Sequence, residues 1–249
     1  MNNEVNYNVQ IESWYSPAEI IRRYEMLRDG YGDEVLTKRE FKRAKEMFCG
    51  AITLLGAYVL SQENVYFLQG NNQSESPDVM AAKQTERSGA PILAEISQLE
   101  IVEMNDHYSG NDVVEFLKST KLSTKKGYSE QTLIVCVVNK QIPVDRKEIA
   151  RKLAEITPAI KPYIYVTGRV GVPEQEEFSI FTPYPRPTKI VLYKIADVIA
   201  AYSIPPRIRF NLGMADKISY EKAEIEPVNT YDIFGLNQTL IEKKYKRQK

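Results

Sequence analysis

The chain has 249 residues, 33 basic against 33 acidic side chains, and a hydrophobic fraction of 43%. That length is enough to bury a proper core as one large domain or two small ones. The balanced charge excludes a global positive field, so any contact with nucleic acid has to come from local patches.

The opening stretch MNNEVNYNVQ carries neither a basic nor an apolar leader segment, and residues 1–15 read as a loosely ordered or docked arm. SPAEIIRRYEMLRDG then has the start and stop signals of a helix: Ser16 as N-cap, Pro17 at the first helical position and Gly30 after the last turn. A second, longer helix follows from Thr37. Its apolar positions Phe41, Ala44, Phe48, Ala51, Leu55 and Tyr58 recur at helical spacing, with a basic first half and an apolar second half. Its longest apolar run, CGAITLLGAYVL, is too short to span a bilayer and reads as a core helix, so no membrane association is expected.

NVYFLQG is a short strand. DVMAAKQTE and PILAEISQLEIVEM read as two further strands joined by a hairpin across RSGA. DVVEFLKSTKL is a helix capped by Asn111 or Ser109. TLIVCVV is a continuous apolar strand of the kind buried on both faces. VDRKEIARKLAEI is an amphipathic helix, and PYIYVTGRV and FSIFTPY are strands. KIVLYKIADVIAAY is ambiguous, its second half favouring helix. Prolines are dense from Pro183 onward, and the tail IEKKYKRQK is basic. Strands alternating with helices imply an α/β fold with crossover connections and a covered sheet. The expected division is an N-terminal helical segment over 1–40, an α/β core over 41–182, and a Pro-rich C-terminal extension over 183–249 ending in the basic tail. Cys49 and Cys136 lie far apart in apolar segments and read as buried reduced thiols of a cytoplasmic protein.

The chemistry concentrates in ESPDV and ISQLEIVEM. A hairpin centred on Ser88-Gly89 sets Asp78 opposite Leu99, with its side chain beside Gln98 or Glu100 according to a one-residue choice of register. Gln98 and Glu100 share a face, and earlier in the strand that face carries Ile92, Ala94 and Ile96. The strand therefore turns from core to polar site along its length. Two carboxylates this close repel each other unless they share a cation. Hard oxygen donors of this kind suit Mg²⁺ or Mn²⁺.

The succession of SPDV, a strand with LEIVEM, the helix NDVVEFLKSTKL and the apolar strand TLIVCVV resembles the PD-(D/E)xK nuclease superfamily, whose fold is called restriction-endonuclease-like. The resemblance spans roughly Phe41 to Val170. It implies a mixed β-sheet flanked by helices and a Mg²⁺- or Mn²⁺-dependent endonuclease that cleaves phosphodiester bonds of DNA. The superfamily's settings of phage defence, restriction or mobile elements are implied with it. Asp78 becomes the proline-linked metal ligand, Glu100 the second acid, and Glu46 on the preceding helix a loose match to a helix acid that some members use. The family's lysine falls on Val102 in this sequence. Lys118, then Lys121 and Gln98, are the candidates to replace it, since some members carry a migrated lysine. A register in which Gln98 and Glu100 take the acid and lysine positions is the other assignment.

The departure at Val102 also supports an alternative, a catalytically inactive nuclease-like module that binds nucleic acid or a protein partner. The expected partner is DNA, with a homodimer or a larger complex as allowed assemblies. Glu46 could instead pair with Lys42 or Lys45. Glu103 and the lone His107 read as exposed. Lys118, Lys121, Lys125 and Lys126, with the basic tail, supply cationic side chains for phosphate contact.

Overall fold

The computed structural model describes residues 13–61, 65–70, 77–85, 93–122, 128–129, 131–156, 162–171, 176–201, 207–209 and 229–245. Among the described residues nine strands form one mixed sheet. In chain order they are β1 (Ser13–Tyr15), β2 (Val65–Gly70), β3 (Val79–Thr85), β4 (Leu93–Met104), β5 (Thr132–Val138), β6 (Tyr163–Val170), β7 (Glu177–Tyr184), β8 (Val191–Lys194) and β9 (Arg207–Arg209). Their spatial order is β8-β7-β6-β5-β4-β3-β2-β1-β9. The run β2-β3-β4 is an antiparallel meander, and β5 and β6 lie parallel to β4. As TLIVCVV leads one to expect, β5 is an interior strand, between β4 and β6.

The helices are α1 (Pro17–Tyr31), α2 (Glu34–Thr37), α3 (Lys42–Ser61), α4 (Val113–Thr120), α5 (Arg146–Glu155), α6 (Ile195–Ala201), α7 (Thr230–Ile233) and α8 (Gln238–Tyr245). Alternation of side chains along each strand divides the core between two faces. One face carries Val79, Ala81, Leu99, Ile101, Val135, Val137 and Ile180 and packs against α1, α3 and α6. The opposite face carries Met104, Ile134, Cys136, Val138, Ile164 and Val166 and packs against α4 and α5. Core residues come from all three expected segments, including Leu27, Leu55, Tyr193 and Ile233.

Helix α3 is the buried spine. Gly56 lets it sit close to the sheet, because a Cβ there would meet side-chain atoms of Ile180 and Tyr193 at 2.9 Å. The whole stretch Arg39–Ser61 is long and apolar enough to cross a membrane by length and composition alone, unlike the shorter uninterrupted run read from the sequence. In the fold it packs on the sheet, with 61% of its most apolar window buried.

Several boundaries differ from the sequence reading, each for a local reason. Ser16 caps α1 as expected, accepting from the Glu19 N–H at 3.2 Å, but the helix runs past Gly30 and stops at Gly32, whose φ of 61° suits glycine. Thr37 does not start the long helix; it closes α2, and a short 3₁₀ turn over Arg39–Phe41 leads into α3. Residues 13–15 of the expected arm form β1. KIVLYKIADVIAAY splits into β8 and α6, a strand followed by a helix. The RSGA turn, Lys125, Lys126 and the last four residues of the basic tail lie outside the described residues.

The cap of α4 is Asp112, not Asn111 or Ser109. Its carboxylate accepts from the Val114 and Glu115 N–H groups at 2.8 and 3.2 Å. Lys152, 2.6 Å away on α5, holds that carboxyl below its ordinary range. A depressed carboxyl stabilises the fold above its unfolded pKa of about 3.9, and that contribution is lost as pH falls through the lower folded value. Asp112→Ala should therefore cost about 1 kcal/mol at neutral pH in urea unfolding. The difference from wild type should shrink below about pH 4; a gap that stays constant into strong acid would contradict the capping role.

Candidate active site

The register of β3 on β4 runs Val79↔Leu99, Met80↔Gln98 and Ala81↔Ser97. Continued by one residue, it sets Asp78 opposite Glu100, which resolves the choice left open by the sequence. Lys83 pairs with Glu95 at the far end of the same ladder. Pro77 and Asp78 stand at the entrance of β3, where the ladder stops. There the Asp78 side chain replaces the missing strand: its Oδ2 accepts the Ile101 backbone N–H at 2.8 Å.

Glu100 belongs to the face of β4 that meets α4. Along that face Ile96 packs with the Trp14–Phe67–Ala82 cluster, and Val102 and Met104 pack with the core under α4. Gln98 and Glu100 occupy the polar gap between these two apolar patches. Only 5% of the Glu100 side chain is exposed. A buried carboxylate is costly without a counter-charge, and Lys121 supplies it. Lys121 follows the last turn of α4 as its C-cap. Its Nζ lies 2.5 Å from Glu100 Oε2 and 3.3 Å from Asp78 Oδ2, with 12% of the side chain exposed. One ammonium thus bridges both carboxylates.

Lys118, first among the candidates read from sequence, sits one turn earlier. It is 44% exposed and pairs with Glu115 at 2.7 Å, on the solvent side of α4. The three-residue offset moves a side chain by about 300° around a helix, so an interval that looks minor in sequence decides which lysine meets the carboxylates. Val102, two residues after Glu100, packs against the apolar core.

Glu46 projects from α3 and forms an ion pair with Lys42 at 3.1 Å. Burial pushes its carboxyl up, and the negative charge of Asp78 adds to that, while Lys42 and Lys121 pull it back. Glu46 is therefore within the electrostatic reach of the Asp78–Lys121 pair. Gln98 is half-buried and its backbone N–H donates to the Gln131 carbonyl at 3.0 Å. His107 is exposed in the loop after β4. Glu103, expected at the surface, is instead partly buried, 2.5 Å from Lys45 on α3 and accepting from the Asn139 side chain at 2.9 Å.

Among the described residues no three His, Cys, Asp or Glu side chains gather into a ready-made metal cluster. The donor set at this site is the carboxylate pair Asp78–Glu100. Mg²⁺ is commonly held by one or two carboxylates, the remaining positions being filled by water and phosphate oxygens, so the pair fits such an ion. Tyr128 was not singled out in the sequence, yet its hydroxyl is buried near the same two acids.

No family model, curated protein or solved structure matches this chain.

Proposed function

We propose that this protein is a divalent-metal-dependent nuclease that hydrolyses phosphodiester bonds of DNA, built on a restriction-endonuclease-like core. The observation that carries the proposal is the triad Asp78, Glu100 and Lys121. Two acids on adjacent strands and one lysine converge within 3.3 Å at the mouth of a sheet. The order of elements supports the same reading: apolar helix α3, the meander β2-β3-β4, helix α4, then β5 parallel to β4.

Asp78 and Glu100 are the residues that would hold Mg²⁺ or Mn²⁺, with Glu46 as a further acid nearby. When bound, such an ion acts as a Lewis acid on the phosphate and lowers the pKa of a coordinated water. The Ile101 N–H fixes Asp78, so its carboxylate is oriented before any ligand arrives. Lys121 takes the part that the family assigns to a lysine on the second acidic strand. Its ammonium balances charge that builds on the phosphate oxygens in the transition state and helps to orient the attacking water. Lys42 on α3 and Lys118 on α4, 70% and 44% exposed, would supply charge for contact with the phosphate backbone.

The test is cleavage of supercoiled plasmid and of single- and double-stranded oligonucleotides by the full chain with Mg²⁺, Mn²⁺ or excess chelator. Cutting that requires the metal is the expected result. Salt-dependent DNA binding without cutting under either metal would instead identify a catalytically inactive binding module. Neither cutting nor binding would leave the acids a structural role.

A further inference from the structure

A second polar group belongs to this site. The Tyr128 hydroxyl is buried and makes no hydrogen bond. Burial of a hydroxyl without a partner costs free energy, so an orphan of this kind calls for an explanation. Its location is well anchored. The adjacent Ser129 accepts the Thr132 N–H on its carbonyl at 3.0 Å, and its side chain lies 3.1 Å from Thr132 Oγ1 at the start of β5. The carbonyl of Gln131, two residues further on, accepts from the N–H of Gln98, two residues before Glu100. The Tyr128 ring packs on the apolar cluster under α4, the helix that ends in Lys121. The phenol is therefore held on the α4 side of the sheet, within reach of the charges of Glu100 and Asp78.

The chemistry of the surroundings selects the ligand. Burial, followed by the charges of Glu100 and Asp78, pushes the phenol up to about 12, so at neutral pH it keeps its proton and is a donor. Neither acid accepts that proton, since the hydroxyl has no hydrogen-bond partner among the described residues; the carboxylates are held by the Ile101 N–H and by Lys121. An acceptor brought to the carboxylate pair by a bound substrate would supply the missing partner. Tyr24, whose hydroxyl is also unpartnered, belongs to the opposite face, its ring stacked on Phe48 at 4.3 Å.

We propose that Tyr128 is a catalytic residue of this site, its Oη–H donating to a non-bridging oxygen of the scissile phosphate. The proposal rests on the nuclease reading above. The phenol keeps its proton throughout and forms no covalent bond. It works alongside Lys121, a neutral directional donor beside a charged one.

Tyr128→Phe keeps the ring and removes only the oxygen. With Mg²⁺ and a duplex oligonucleotide, kcat should fall on the order of a hundredfold. The Kd for Mn²⁺ should stay within about twofold, since no metal donor is lost, and the Tm should hold or rise once the orphan hydroxyl is gone. Wild-type cleavage with an unchanged kcat in the variant would overturn the role of Tyr128 and leave the nuclease standing. A lower kcat accompanied by a lower Tm and weaker Mn²⁺ binding would also overturn it, assigning the hydroxyl to structure. A wild type that cuts nothing under either metal removes the nuclease reading itself, and this role with it.

Discussion

Replacing Lys121 by Ala should lower metal-dependent cleavage at least about a hundredfold, the usual effect of removing one preorganised charge-stabilising group. The same variant should lose stability when divalent metal is absent. Lys121 bridges Asp78 and Glu100 at 3.3 and 2.5 Å in a nearly dry setting. Removing one member of a buried ion pair leaves an uncompensated charge and costs about 3 kcal/mol or more. Added Mg²⁺ should recover part of that stability, since a second cation can sit between the acids, without recovering the rate. The position two residues beyond Glu100 offers an independent check. Val102 points to the same face as Glu100, so Val102→Lys in the Lys121→Ala background should restore some cleavage by returning an ammonium to the acids from the strand. Wild-type rates in Lys121→Ala would remove this lysine from the mechanism. Lys118→Ala, which breaks only a surface pair with Glu115, should change stability by less than about 1 kcal/mol.

Asp78 performs two tasks, and two substitutions separate them. It is one of the two carboxylates, and it accepts the Ile101 N–H where β3 begins. Asp78→Ala abolishes both. It should eliminate metal-dependent cleavage and also destabilise the fold by about 1–3 kcal/mol, the cost of an orphaned buried N–H. Asp78→Asn retains a carbonyl oxygen for Ile101 and loses only the charge. It should unfold close to wild type in chelator yet remain inactive. The thermal response to metal reads out the same division. A hundredfold excess of Mn²⁺ over its Kd should stabilise wild type by about 2.7 kcal/mol through mass action, and neither Asp78 variant should gain comparably. A melting temperature of wild type unmoved by saturating Mn²⁺ and Mg²⁺ would exclude metal binding at this pair.

How far the sequence carries depends on the range of the interactions that decide each feature. TLIVCVV is recognisable as an interior strand because a strand covered on both faces has no polar alternation, and β5 is interior. The helix start at Ser16-Pro17 is equally legible, since the cap and the fixed proline φ act within one turn. Boundaries were harder where two residues of similar chemistry compete. Asn111 and Asp112 can both cap a helix, and the choice fell to Asp112, which also meets Lys152 from α5, 40 residues along the chain. Glu103 looked like a surface residue because its strand neighbours say nothing of Lys45, which reaches it from α3.

The candidate site divides along the same line. That Asp78 opens one strand, that Glu100 interrupts the apolar face of the next, and that lysines follow on the helix beyond can be read along the chain alone. These are matters of order, alternation and turn chemistry, all local. That Lys121 and not Lys118 meets the acids emerges in the fold, because the angular position of a side chain at α4 matters only once the helix is seated on the sheet. The fold also brings Tyr128 within reach of their charges, from a stretch tied to β4 by the Gln98 N–H on the Gln131 carbonyl. Burial turned these placements into chemistry: a lysine and two acids that water would screen on an open surface are coupled here because the packing of α4 against β4 and β5 keeps water out.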